Sequence, residues 1–81
     1  MISDRLIPLS EVCSGDRVIL RCVQGGQGMA SRMASLGLFP GVSMQVRRND
    51  RRGPVVIGLH GSRIMLGRGM AGRVAVAKEK K

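Results

Sequence analysis

The stretch Arg32-Met33-Ala34-Ser35-Leu36-Gly37-Leu38-Phe39-Pro40-Gly41 predicts the end of a helix and the start of a strand within ten residues. Its first glycine can adopt the left-handed conformation that ends a helix, and Leu38 can then fold back onto Met33. Its final Pro-Gly pair favours a tight turn. Residues 42–47 then alternate apolar and polar side chains, as a half-buried strand does. The sequence therefore predicts a helix that runs through a rigid corner into a strand.

The predicted helix before this corner is short and amphipathic. Met29, Met33 and Leu36 recur at the spacing of one helix face, while Ser31 and Ser35 lie on the other side. A helix of about two turns is marginal in water by itself. We therefore expect its Met/Leu face to pack onto the strands as a lid over one end of the sheet.

Four further short segments have the pattern of strands, which makes five with residues 42–47. They are Arg17–Val23, Val55–Leu59, the segment with Ile64 and Leu66, and the segment with Val74 and Val76. In the first of them, Val18, Leu20 and Cys22 share the face that we expect to point inward. Upstream, Leu9 and Val12 predict one helical turn with both side chains buried.

The length and composition predict one small β-rich domain. A chain of 81 residues can bury only a thin core, and 12 glycines indicate many turns between short segments. The expected fold is mainly β: a small, partly open, SH3-like or OB-like barrel of five or six short strands, with a short lid helix between the first two main strands. We place the domain at residues 1–77 and a basic, frayed tail at residues 78–81.

The amino-terminal residues and the cysteines indicate a cytoplasmic protein. Residues 1–8 have no apolar segment of the kind that a signal peptide carries, and no apolar run approaches the roughly 20 residues of a membrane span. The two cysteines, Cys13 and Cys22, form no Cys-x-x-Cys motif and no disulfide scaffold.

Four blocks of sequence together resemble a known family. They are Arg32-x-x-x-Leu36-Gly37-Leu38-x-Pro40-Gly41-x-x-x-x-Val46, Gly53-Pro54-Val55, Gly61-x-Arg63-Ile64-x-Leu66 and Ala71-x-x-Val74-x-Val76. The pattern resembles the FeoA family of ferrous iron transport accessory proteins. This resemblance implies an SH3-like barrel and a small cytosolic partner of the FeoB-type ferrous iron permease, whose membrane body carries a soluble GTP-binding domain.

The surface expected to dock on the cytoplasmic part of that permease combines apolar and basic side chains. It comprises Arg32, Leu36, Leu38, Phe39, Pro40, Arg47, Arg48, Arg51, Arg52 and Met65. Guanidinium groups bind carboxylates and phosphates through paired hydrogen bonds, although a loop this basic can equally be a solvated surface. Phe39 can serve as an apolar anchor for a partner or can plug the end of the barrel.

The net charge of +9 leaves a second function open, that of a small nucleic-acid-binding barrel. In that case Arg47, Arg48, Arg51, Arg52 and Lys78 would contact phosphates. Small barrels that bind single strands usually add aromatic platforms for the bases, and Phe39 is the sole aromatic residue here. The composition therefore disfavours nucleic acid as the partner.

The chain lacks the residue sets that catalysis or a dedicated metal site needs. We find no Ser/His/Asp set, no carboxylate pair and no paired Cys or His spacing, so we expect no enzyme activity and no required cofactor. Cys13, His60 and Asp16 are the weak candidates for an adventitious divalent metal. We expect no membrane span, and an exposed sheet edge leaves self-association open.

Overall fold

A computed structural model describes residues 2–79 of the chain, which form strands and short helices as follows. The elements are β1 (Ile2–Pro8), a 3₁₀ turn (Leu9–Glu11), β2 (Arg17–Val23), α1 (Gly26–Ser35), β3 (Ser43–Arg48), β4 (Val55–Leu59), β5 (Ser62–Leu66), α2 (Arg68–Ala71) and β6 (Val74–Glu79). Within these residues the strands form one antiparallel sheet in the order β1-β6-β2-β3-β4-β5. The mainly β fold with a short helix between β2 and β3 is confirmed.

The core is built from the inward-facing side chains of the strands, because alternate residues of a strand point to opposite faces. Val18 and Leu20 of β2 are fully buried, as are Leu9 of the 3₁₀ turn and Val12 directly after it, whose burial the spacing predicted. The other core residues are Met33, Leu38, Val42, Met44, Val46, Val55, Ile57, Leu59, Leu66, Ala71, Val74 and Val76. The alternation predicted for residues 42–47 is therefore confirmed, and Val55, Ile57 and Leu59 of the predicted strand at 55–59 point inward in the same way.

Cys22 is exposed, so the prediction that it packs inward with Val18 and Leu20 is wrong. The reason is a β-bulge. The β2–β6 pairing shifts between Leu20 and Cys22, so that two steps along β2 match one step along β6. A bulge inserts one extra residue and reverses the alternation beyond it. Cys22 therefore turns outward.

Helix α1 packs through fewer side chains than its pattern predicted. Met33 is fully buried and Met29 is half-buried, but Leu36 is 41% exposed. The helix ends at Ser35, and the chain reverses direction immediately afterwards. The reversal brings Leu38, rather than Leu36, into the core beside Met33.

Two elements were not predicted from the sequence. Strand β1 pairs with β6 at the edge of the sheet, and a single helical turn, α2, lies in the glycine-rich connection between β5 and β6. In addition, Lys78 and Glu79 lie in β6 rather than in the frayed tail expected at residues 78–81. Lys78 Nζ lies 3.2 Å from Asp16 Oδ2, and Glu79 Oε2 accepts a 2.8 Å hydrogen bond from Ser43 Oγ. Residues 80 and 81 lie outside the described residues.

Across residues 2–79, neither helix has the length and apolar character required to cross a bilayer.

Candidate functional site

The corner, defined as residues 36–42, is fixed first by the way that α1 ends. Gly37 has a φ of 87°, a backbone conformation that favours glycine. Its amide donates to the Ala34 carbonyl at 2.9 Å, and the Leu38 amide donates to the Met33 carbonyl at 2.9 Å. These two bonds form a Schellman motif, and Leu38 packs back into the core with Met33. The predicted helix stop is confirmed.

A tight turn then fixes the second half of the corner. Pro40 and Gly41 occupy its centre, Gly41 has a φ of 96°, and the Val42 amide donates to the Phe39 carbonyl at 3.1 Å. Two further bonds join the corner to β2, because Gly41 donates to the Leu20 carbonyl at 2.7 Å and Leu20 donates to the Val42 carbonyl at 2.9 Å. The corner therefore has little freedom to rearrange.

The corner exposes two large apolar side chains to solvent. Phe39 is 50% exposed and Leu36 is 41% exposed. Pro40, which follows Phe39, is also exposed. Leu38, in contrast, is fully buried. Its side chain cannot reach a partner, so its place among the predicted contact residues is corrected: Leu38 supports the corner from beneath.

Arg32 extends the corner along the last turn of α1. It lies one helical turn before Leu36, and its side chain is exposed. Residues four apart on a helix lie on the same face. Arg32 therefore provides a positive charge beside the exposed apolar residues.

The four arginines of the basic segment, Arg47, Arg48, Arg51 and Arg52, have different surroundings. Arg48 Nε lies 2.7 Å from Asp50 Oδ2, so this charge has a local counterion. Arg51 lines a cavity of about 400 Å³ beside the 3₁₀ turn, whereas Arg47 lines a groove on the outer face of the sheet. Arg52 is exposed. Arg47 and Arg51 therefore line two different concavities, and Arg48 has its own counterion.

A cluster around Asn49 fixes the β3–β4 loop, defined as residues 49–54. The Asn49 side-chain amide donates to the carbonyls of Ser10 and Val12, both at 2.8 Å. Its backbone amide donates to Ser14 Oγ at 2.8 Å, and its Oδ1 accepts a hydrogen bond from Arg68 Nη2. These contacts tie the loop to the 3₁₀ turn and to α2.

Sequence reasoning missed this cluster. Arg68 Nη1 also donates to the Ser10 carbonyl at 3.2 Å, while its buried Nε has no hydrogen-bond partner. The contacts join residues that are 19 to 58 positions apart. No local spacing of residue types could have indicated them.

Met65 is 67% exposed on β5, as its alternation with Ile64 and Leu66 predicted. It lies opposite Val56 of β4, on the outer face of the sheet. Met65 is therefore accessible, but it belongs to the sheet face and not to the corner.

The candidate metal ligands do not converge. Cys13 lines the cavity beside Asn49, His60 lines the outer groove, and the Asp16 carboxylate lies beside Lys78. In the part of the chain that the structure describes, no group of three or more His, Cys, Asp or Glu residues is placed to hold a metal ion. The absence of a required cofactor stays a prediction.

Comparisons with known proteins agree with the resemblance seen in the sequence. A model of the FeoA domain family matches residues 7–78. A Methanocaldococcus jannaschii protein named "Putative Fe(2+) transport protein A" is 37% identical over 71 residues, which cover 88% of this chain and 85% of that protein.

Solved structures give the same result for the fold. The crystal structure of an iron uptake regulatory protein, FeoA, matches with a TM-score of 0.86 and 39% identity, over 93% of this chain and 100% of that one. The solution structure of FeoA from Chlorobium tepidum matches with a TM-score of 0.80 and 25% identity, over 91% of this chain and 71% of that one. Both the sequence and the SH3-like fold are therefore similar to those of FeoA proteins.

Proposed function

The chain belongs to the FeoA domain family, and we propose that it supports ferrous iron uptake by docking on the cytoplasmic part of a FeoB-type permease. Members of the family are non-enzymatic transport accessory proteins. In this proposal iron is the cargo of the transport system. The chain works in the cytoplasm and needs no cofactor of its own, because docking requires only a surface of the correct shape.

The observation that carries the proposal is the exposure of Phe39 and Leu36 on a rigid corner. Each large apolar side chain that a partner covers is stabilised by roughly 25 cal/mol for every Å² removed from water. Aromatic anchors commonly dominate protein–protein interfaces. Phe39 is half exposed although it is the sole aromatic residue of the chain, and so it is the strongest candidate for such an anchor.

The rigidity of the corner strengthens this candidate. Binding is weakened when a loop must first become ordered, since that ordering costs conformational entropy. Here the backbone hydrogen bonds of Gly37, Leu38 and Gly41 already hold the corner in one conformation. A partner can therefore bury Phe39 without reorganising the segment that carries it.

The test is a direct binding measurement with the purified cytoplasmic part of the FeoB-type permease from the same genome. Phe39→Asp should weaken binding at least tenfold, which corresponds to about 1.4 kcal/mol. The matched control is Leu6→Asp on β1, because Leu6 is also 50% exposed. We expect the control to bind within about twofold of the unmodified chain.

Two results would contradict the proposal: no binding by the unmodified chain, or the same loss of affinity for Phe39→Asp and Leu6→Asp.

The salt dependence of binding separates docking from the nucleic-acid alternative. Two of the charges required by that alternative, Arg48 and Lys78, already lie beside Asp50 and Asp16. Affinity for a generic oligonucleotide that is high and falls steeply with salt would favour the alternative.

A further inference from the structure

A positively charged groove of about 510 Å³ lies on the outer face of the sheet, across β2, β3, β4 and β5. Its lining contains three arginines, one histidine and three neutral polar side chains. In chain order these are Arg17, Ser43, Gln45, Arg47, His60, Ser62 and Arg63, and two glycines complete the lining. Among the described residues, none that lines the groove is acidic, and the Glu79 carboxylate of β6 lies against two of the lining residues, Arg17 and Ser43. The surface is thus suited to an anion.

The pairing of the strands shows which residues lie at the two ends of this groove. Arg17 of β2 pairs with Gln45 of β3, Gln45 pairs with Gly58 of β4, and Gly58 pairs with Arg63 of β5. Paired residues of an antiparallel sheet point to the same face. One row across the sheet therefore has an arginine at each end, a glutamine, and a position without a side chain.

Arg47 fills the space that Gly58 leaves. A Cβ atom added at Gly58 would lie 2.7 Å from Arg47 Nε and 3.4 Å from Arg47 Cγ. The Arg47 side chain therefore lies flat across β4, toward the middle of the row. This path depends on glycine at position 58, because any other residue would displace the guanidinium.

A second bulge directs Arg47 onto this path. The pairing of β3 with β4 shifts between Val46 and Arg48, so that Arg47 is the extra residue. Bulges bend a strand and change the direction of a side chain. The bulge and the glycine together hold a guanidinium between the two terminal arginines.

The charges in the groove are largely uncompensated. Arg17 Nε lies 3.7 Å from Glu79 Oε2, and the Glu79 carboxylate also accepts the hydrogen bond from Ser43. Among the side chains that the structure describes, no carboxylate lies within 4 Å of the charged nitrogens of Arg47 or Arg63. The groove therefore has cationic groups available to an external anion.

We propose that this groove binds an extended acidic peptide segment of a partner protein. Strands lie about 4.8 Å apart, so the backbones of Arg17 and Arg63 are separated by about 14 Å. Successive carboxylates of an extended peptide can pair with Arg17, Arg47 and Arg63 along this row, one carboxylate to each guanidinium. Guanidinium–carboxylate pairs are charge-assisted and often bidentate.

The polar lining also favours a peptide over nucleic acid. The Ser62 hydroxyl and the second N–H of the Gln45 amide can donate hydrogen bonds to carboxylates and to peptide carbonyls, while the first N–H of Gln45 donates to the Gly15 carbonyl at 3.2 Å. Phe39 does not line the groove, so bases would find no aromatic platform there. None of the corner residues 36–42 lines the groove, so the acidic segment and the ligand of the corner can belong to different proteins.

The experiment measures the fluorescence anisotropy of a fluorescein-labelled hexa-aspartate peptide, with a hexa-serine peptide as the uncharged control. Arg47→Gln combined with Arg63→Gln should weaken binding at least tenfold. The charge-matched control combines Arg21→Gln with Arg52→Gln, two exposed arginines outside the groove. Both double variants have the same net charge, so they should lose equal affinity for the peptide if only the overall charge attracts it. If the peptide binds in the groove, the variant that lacks Arg47 and Arg63 should lose more.

Gly58→Ala tests the path of Arg47 without changing any charge. We expect it to weaken peptide binding about threefold while circular dichroism and the thermal midpoint show an intact fold, because a flexible side chain can move aside. The proposal is overturned by equal losses in the two double variants, or by no binding of the acidic peptide. It is also overturned by equally tight, groove-dependent binding of an oligonucleotide, or by full displacement of the peptide by millimolar inorganic phosphate.

Discussion

The corner and the β3–β4 loop both carry residues expected to contact a partner, but different kinds of contact hold them in place. In the corner, the amides of Gly37 and Leu38 bond to carbonyls only three to five residues earlier. In the loop, Asn49 bonds to Ser10 and Val12, which are 39 and 37 residues away. The first half of the corner is fixed by its own sequence and its second half also by two bonds to Leu20 of β2, whereas the loop is fixed by side-chain bonds to distant parts of the chain.

This difference explains what each segment can present to a partner. The corner uses backbone bonds and one buried anchor, Leu38, so that Leu36 and Phe39 are free to face solvent. The loop uses the Asn49 side chain internally, whereas Arg51 and Arg52 are exposed. Asn49 is committed to the fold, and Asp50 of the loop pairs with Arg48 at the end of β3.

The largest expected effect comes from removing the anchor of the corner. Leu38→Asp places a carboxylate in the core, and the combined loss of packing and desolvation should cost about 4 kcal/mol or more. That is a large share of the stability of a small domain. Urea denaturation followed by far-UV circular dichroism should show little or no folded protein.

The neighbouring variant Phe39→Asp is the control for this experiment. Phe39 is half exposed, so its replacement should cost less than about 1 kcal/mol. Similar losses at positions 38 and 39 would contradict the division of the corner into a buried anchor and an exposed contact residue.

The next largest loss of stability is expected for a substitution in the β3–β4 loop. Asn49→Ala removes the donors to the Ser10 and Val12 carbonyls and the acceptor for Arg68, which should cost about 2–3 kcal/mol. Asp50→Ala removes only an exposed ion pair with Arg48 and should cost less than about 0.5 kcal/mol. Denaturation midpoints of the two variants provide the measurement. Equal midpoints would mean that the cluster around Asn49 does not hold the loop.

The smallest expected effect is the difference in thermal midpoint between alanine substitutions at the two glycines of the corner, Gly37 and Gly41. Both have positive φ, and a side chain in that conformation costs about 1–2 kcal/mol. Gly37→Ala also brings a Cβ within 3.1 Å of Leu59 Cδ2, whereas nothing lies within 4 Å of a Cβ at Gly41. Gly37→Ala should therefore lower the thermal midpoint more than Gly41→Ala. The reverse order would remove the argument for close packing beneath the corner.

The same division determines how much could be predicted from the sequence. The helix stop at Gly37, the turn at Pro40 and the inward face of residues 42–46 follow from residues within a few positions of one another, and the structure has all three. Local backbone chemistry is sufficient to specify such features. The first of the four sequence blocks that resemble the FeoA family consists of these same residues.

Features that depend on strand pairing could not be predicted in this way. The exposure of Cys22 and the path of Arg47 both result from bulges, and a bulge is defined only relative to the paired strand. The hydrogen bond between Asn49 and Arg68 likewise requires that the loop and α2 be already adjacent. The basic loop therefore looked like one surface in the sequence, although its side chains are divided in the structure.

The most direct test of the account uses the sole phenylalanine as a probe. Incorporation of 4-fluorophenylalanine places one fluorine in the chain, at Phe39. Adding the cytoplasmic part of the FeoB-type permease should shift or broaden this single ¹⁹F signal in proportion to the complex formed. A signal that stays unchanged while an independent method detects the complex would contradict the claim that the corner is the docking surface.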